Sequence, residues 1–196
     1  MSDRYVMVFD PDLCLGCNAC TVECRRNYEL NGPGQFRLKM QQVEQGSFPD
    51  VQAYYVRSSC AHCEKPVCVE NCPTGATTKS DDGFVLINKE RCIGCGACVD
   101  GCPYQARYLR QEGNEVKADK CSFCFSRVAD GGRPVCVSKC ITGALTFGKK
   151  SDPKIQALLA RKDAGIYSPE HKTDPQLYRL GVRQHRKDLK TLARSI

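Results

Sequence analysis

Cys92-Ile93-Gly94-Cys95-Gly96-Ala97-Cys98-Val99-Asp100-Gly101-Cys102-Pro103 constrains this chain more than any other stretch. Three cysteines recur at two-residue intervals, a fourth follows after three more residues, and a proline closes the run. Thiolates in this spacing wrap an iron–sulfur cubane. The small residues Gly94, Gly96 and Ala97 let one short loop present three thiolates to one cube. Cys102 lies about one helical turn beyond Cys98, which carries it toward a second cube.

The run has three variants elsewhere in the 196 residues. The first is Cys14, Cys17, Cys20 and Cys24, with Arg25 where the proline would stand. The second is Cys60, Cys63, Cys68 and Cys72, closed by Pro73. The fourth is Cys121, Cys124, Cys136 and Cys140, with an eleven-residue gap before its third cysteine. Motifs one and three share Cys-x-Gly-Cys-x-Ala-Cys. Motifs two and four share Pro-Val-Cys-Val-x-x-Cys-x-Thr-Gly-Ala, so the chain reads as a duplicated two-motif unit.

Cys-Pro occurs only at Cys72 and Cys102, which pairs the middle motifs with each other and the outer motifs with each other. The outer pairing predicts that the strand Tyr5–Phe9 lies beside Ala144–Phe147. In two-cluster proteins the fourth cysteine of each run ligates the partner cluster. Four ligand sets follow: Cys14, Cys17, Cys20 and Cys140; Cys60, Cys63, Cys68 and Cys102; Cys92, Cys95, Cys98 and Cys72; Cys121, Cys124, Cys136 and Cys24. All 16 cysteines are used. The expected fold is α+β: two ferredoxin-like units, each holding two 4Fe–4S clusters, with an insertion and a C-terminal docking extension. Residues 1–29 and 104–148 form the outer unit, 30–59 the cysteine-free insertion, 60–103 the inner unit and 149–196 a basic extension.

Other uses of cysteine fit less well. Disulfide scaffolds belong to small secreted domains, whereas Met1–Val6 shows no apolar signal core and neighbours in Cys-x-x-Cys would cross-link within a motif. Structural zinc takes four ligands, usually as two separated pairs; here they come as triplets with a displaced fourth. Only His62, His171 and His185 could complete mixed sites. The net charge of +7 resides in the tail: up to Phe147 there are 17 Lys and Arg against 17 Asp and Glu, and beyond it 12 against 5. Clusters would make the body acidic, which argues against nucleic acid. No apolar run approaches the roughly 20 residues of a membrane span.

Between the motifs, Phe36, Leu38 and Met40 alternate with charged residues, and Ala53–Val56 is β-rich, so the insertion reads as two strands packed on the body or on a partner. Phe84–Ile87 reads as a strand, and Tyr104–Asp119 as a polar connection turning at Gly113-Asn114. In the tail, Asp152 and Pro153 start a helix with Ile155, Leu158 and Leu159 on one face. Leu177, Tyr178 and Leu180 mark an element of unassigned type. Lys65, Arg91, Lys120 and Lys139 flank ligands, where a cation can raise a cluster potential, but the favoured reading of each is an ordinary solvated charge; His62, Tyr104 and Phe123 read as packing. No nucleophile–base pair, nucleotide-binding loop or carboxylate pair supports catalysis, so the chain reads as a non-catalytic electron-transfer component.

The motif order, the stretched fourth motif and the missing prolines after Cys24 and Cys140 resemble the four-cluster iron–sulfur (beta) subunits of the dimethyl sulfoxide reductase family, over about residues 4 to 148. Polysulfide, thiosulfate, tetrathionate and arsenate reductases have similar subunits. The resemblance implies four 4Fe–4S clusters serving anaerobic respiration. It implies a molybdopterin catalytic partner and a membrane quinol-oxidising subunit, with membrane attachment through partners, on the periplasmic face by co-export or on the cytoplasmic face. It also implies that the cluster of Cys14, Cys17, Cys20 and Cys140 lies nearest the catalytic subunit, and that of Cys121, Cys124, Cys136 and Cys24 at the quinol end. Two other functions compete: a free-standing polyferredoxin, and a structural zinc scaffold.

Overall fold

A computed structural model describes residues 3–181. Strand β1 (Tyr5–Phe9) is apolar on both faces, and both are covered. Val6 and Val8 pack with Ile155 and Leu180 on one side. Met7 and Phe9 face the main core on the other, which contains most of the cysteines. The alternation is the period of a strand buried on both faces.

Strand β1 lies inside a four-stranded sheet of order β8-β1-β10-β9. Its antiparallel neighbour is β8 (Leu145–Lys149), with Met7 opposite Phe147. The chain's two ends therefore meet as the outer pairing of motifs predicts. Tyr5 and Phe147 stack across the pair, with ring centroids 5.2 Å apart.

Each motif leaves its loop through a short helix. These are α1 (Ala19–Asn27), α2 (Val67–Glu70), α3 (Ala97–Asp100) and α5 (Val135–Ser138), with α4 (Phe125–Ala129) in the long gap of motif four. Helix α1 packs on α5, and α2 on α3, again outer with outer and middle with middle.

Three antiparallel hairpins lead into motifs two, three and four. They are β2 (Leu38–Gln45) with β3 (Gln52–Ser59), β4 (Thr77–Lys79) with β5 (Val85–Ile87), and β6 (Arg107–Glu112) with β7 (Glu115–Lys120). The last occupies what the sequence shows as a polar connection. Its side chains are charged because they bind one another and the cysteine loops: Asp119 takes two hydrogen bonds from Arg37, at 2.7 and 3.0 Å, and one from Tyr108.

The tail departs from a docking arm. Helix α6 (Pro153–Leu159) starts as expected, with the Asp152 carboxylate accepting the Lys154 N–H at 2.8 Å and Ile155 buried. Beyond it, β9 (Gly165–Ile166) and β10 (Leu177–Arg179) join the sheet, β10 running parallel to β1. Between them the chain crosses motif two. There the Gln176 N–H donates to Ala61 O, the Glu64 N–H to Asp174 O and the Lys65 N–H to Thr173 O, at 2.8 to 3.1 Å. Up to Gly181 the extension belongs to the body. The rest of the expected arm, residues 182–196, lies outside the described residues, as does His185.

Candidate metal centre

The third position of every Cys-x-x-Cys loop takes a left-handed backbone: Gly16 (φ 68°), His62 (φ 45°), Gly94 (φ 69°) and Phe123 (φ 52°). Such a turn bends the loop around a common centre and suits glycine. At the two non-glycine positions, packing holds the turn instead. His62 and Phe123 are both buried and stack with centroids 3.7 Å apart. The Val85 N–H donates to His62 Nδ1, and Nε2 contacts Cys121 O, each at 3.0 Å. With Nδ1 accepting, Nε2 carries the proton. Burial, first, and the Lys120 charge then hold the ring well below the ordinary histidine range. His62 is thus a neutral packing group joining motifs two and four.

The cysteines gather in four places. Cys60, Cys63, Cys68 and Cys102 line one recess together with Thr173, Tyr104 and Arg107. Cys72, Cys92, Cys95 and Cys98 line another. Cys24 is surrounded by Cys121, Cys136 and Cys124, and Cys14 faces Cys140 and Cys17. Neighbouring sets also feel one another: Cys136 senses Cys20, Cys121 senses Cys60, and Arg107 reaches Cys68, Cys60 and Cys98. The order along the molecule is therefore the Cys14 set, the Cys121 set, the Cys60 set and the Cys92 set. The resemblance puts the Cys121 set at one end. The structure puts it second, because the middle motifs dock on motif four through Cys60 and His62.

The donor chemistry suits an iron–sulfur group. Burial pushes the Cys136 thiol up to about 12 and Cys63 up to about 11. These sulfurs become thiolates when metal binds them, which deprotonates a thiol outright. Cys72 goes the other way, to about 7: burial opposes it, but N–H donors from Thr77, Ala76 and Thr74 and the Thr74 hydroxyl outweigh burial. A tetrahedral zinc would draw four sulfurs to about 2.3 Å from one point. Among the described residues no three His, Cys, Asp or Glu groups gather closely enough to hold one ion. Four thiols set around one recess, yet too far apart to close on a single ion, suit a cube with a sulfur at each iron.

Among the described residues the three most deeply buried cations stand among the sets, and the cysteine-flanking positions reveal only one of them. Lys120 is buried and donates to Val85 O and to Cys121 O. Arg107 donates to Cys68 Sγ at 3.0 Å and to Thr77 Oγ1 at 3.2 Å. Arg57 is the third, 1% exposed. By contrast Lys65 is an exposed partner of Asp174, and Arg91 an exposed donor to Thr74 O. Arg57 and Arg107 escape sequence reasoning because arginine in a strand reads as a solvent-facing residue. Their inward direction follows only from strand register.

Of all the cysteines only Cys17 and Cys95 are exposed. They belong to the first and last sets of the series. Leu15 and Ile141 are exposed beside the first, and Ile93 and Val116 beside the second.

Known proteins share this pattern. Two models of the 4Fe-4S dicluster domain match, one over residues 51–150 and the other over 6–73. The thiosulfate reductase electron transfer subunit PhsB of Salmonella typhi is 41% identical, over 83% of this chain and 85% of its own length. A polysulfide reductase chain of Wolinella succinogenes is 40% identical over 91% of this chain and 94% of its own length. A tetrathionate reductase subunit of Salmonella typhimurium is 37% identical, over 91% and 73% respectively.

Proposed function

The chain belongs to the 4Fe-4S dicluster family of electron-transfer subunits, and from that premise we propose that it joins a molybdopterin catalytic subunit to a membrane quinol-oxidising subunit. It carries four 4Fe–4S clusters as an electron-transfer subunit of a respiratory oxidoreductase. We assign them to Cys14, Cys17, Cys20 and Cys140; Cys121, Cys124, Cys136 and Cys24; Cys60, Cys63, Cys68 and Cys102; and Cys92, Cys95, Cys98 and Cys72. Bound there, the clusters supply one-electron carriers. The protein orients them, excludes water and sets their potentials through charge and hydrogen bonds to sulfur. The outer unit is residues 1–29 with 104–148 and the inner unit 60–103, with the hairpin β6–β7 strapped across both. The packing of α1 on α5 and of α2 on α3 supports that division.

The observation that carries this reading is the exposure of one cysteine in each terminal set, and of none between. A carrier of one substrate pool needs one open end; a relay between two proteins needs two. The apolar residues beside each opening fit surfaces that are covered in a complex. We assign the Cys17 end to the catalytic subunit and the Cys95 end to the quinol side. Among the described residues no helix is long and apolar enough to cross a membrane, so attachment runs through the partner at the Cys95 end.

Photo-crosslinkers at Leu15 and at Ile93, in the complex from its native host, test the assignment. Leu15 is expected to capture the molybdenum-bearing subunit, and Ile93 a subunit with membrane-spanning helices. Capture of one subunit from both positions, or none from either, would contradict it and favour the free polyferredoxin.

A further inference from the structure

The cysteine-free hairpin β2–β3 carries into the interior a charge that the cysteine pattern does not call for. Arg57 lies on β3 opposite Met40 and is 1% exposed. Its Nη1 donates to Ser59 Oγ at 2.5 Å, while Nε and Nη2 find no partner among the described residues. Arginine stays protonated in proteins. A buried guanidinium with two idle donors is costly unless an anion answers it. Its charge reaches cysteines of two neighbouring sets, lowering the thiol pKa of Cys20 in the first and of Cys121 and Cys136 in the second. Its charge also reaches His62 and helps to keep that ring neutral.

The hairpin is fixed against the first motif as well. A side chain at Gly16 would collide with the Tyr55 ring, so β3 packs directly on the Cys14–Cys17 loop. An element that looks like an embellishment thus delivers one cation to the junction of two cysteine sets.

We propose that Arg57 sets the reduction potentials of the outer cluster pair, offering its free donors and its charge to the junction between the Cys14 set and the Cys121 set. The proposal rests on the four-cluster reading given above. Reduction adds one electron to a cluster and leaves Arg57 protonated. A fixed positive charge in a poorly screened interior favours the more negative, reduced state. Arg57 therefore raises both outer potentials, and it is a positioning residue that acts through the clusters.

The test uses Arg57→Gln and Arg57→Lys in the intact complex, with iron content and an electron-paramagnetic-resonance redox titration of all four clusters. Arg57→Gln is expected to keep about 16 iron per chain, with two midpoint potentials lowered and the other two in place. Arg57→Lys should lower the same two by less. Full iron with four unchanged potentials overturns the proposal, as does a common shift of all four. If Arg57→Gln loses iron, Arg57→Lys decides: iron kept with two potentials lowered supports the proposal, and iron lost or potentials unchanged overturns it. Failure of the unaltered protein to hold about 16 iron would overturn the four-cluster reading itself.

Discussion

Asp119 shows how a single charged side chain ties this molecule together. It is 2% exposed, clasped by the Arg37 fork, bonded to the Tyr108 hydroxyl and within 3.8 Å of Lys89. Arg37 in turn lies 3.8 Å from the centre of the Tyr28 ring. Burial alone would raise the Asp119 carboxyl, but the Arg37 bonds reverse that and hold it below the usual range. A depressed carboxylate contributes stability above its unfolded pKa of about 3.9 and loses it as pH falls through the lower folded value. Asp119→Asn leaves Arg37 buried without its counter-charge and is expected to cost about 3 kcal/mol. Denaturation in urea at neutral pH, followed by bleaching of the cluster absorbance, should show a lower midpoint. The gap from the unaltered protein should narrow toward pH 3. At this scale the sequence is legible for cysteines and opaque for their neighbours. Spacing marks the three loop cysteines of each proposed set, while the fourth follows from the Cys-Pro pattern and the two-cluster rule. Arg57, Arg107 and Asp119 look like surface charges until register turns them inward.

Among the elements, legibility follows hydrophobic pattern. Strand β1, strand β8 and helix α6 announce themselves by apolar period or by a cap. Hairpin β6–β7 does not, since Arg110, Lys117 and Asp119 bond ion-pair partners and backbone carbonyls, and Arg107 the Thr77 hydroxyl and the Cys68 sulfur, rather than relying on apolar burial. Strand β10 is hidden for another reason. Its three residues, Leu177–Arg179, are too few to show a period, and its parallel partner β1 lies about 170 positions away. The extension is consequently part of the fold, and removing residues 149–196 would strip β9, β10 and Thr173 from the body. Such a deletion tests stability and does not separate a subunit from a free polyferredoxin. A milder probe is Ile155→Ala, which empties the core between α6 and β1. It is expected to cost about 2–5 kcal/mol, read as a lower urea midpoint, with all four clusters still present before denaturation.

For the molecule as a whole, the account is a row of four cysteine sets whose exposed cysteines, Cys17 and Cys95, lie in the two end sets. Duplication explains two ferredoxin-like halves, and the bond of His62 to Cys121 O, with its stacking on Phe123, explains why they line up in one row. That docking joins residues of two halves, so no local motif could reveal it, and the resemblance alone misplaces the Cys121 set. The central claim is that this row is loaded with iron and wired to a molybdopterin enzyme. Its most direct test is a metal count on the tagged chain, purified without air from its native host. The account predicts about 16 iron per chain, accompanied by about one molybdenum or tungsten per copurified catalytic partner. Iron at that level without either heavy metal would contradict the wiring, and zinc in place of iron would contradict the row itself.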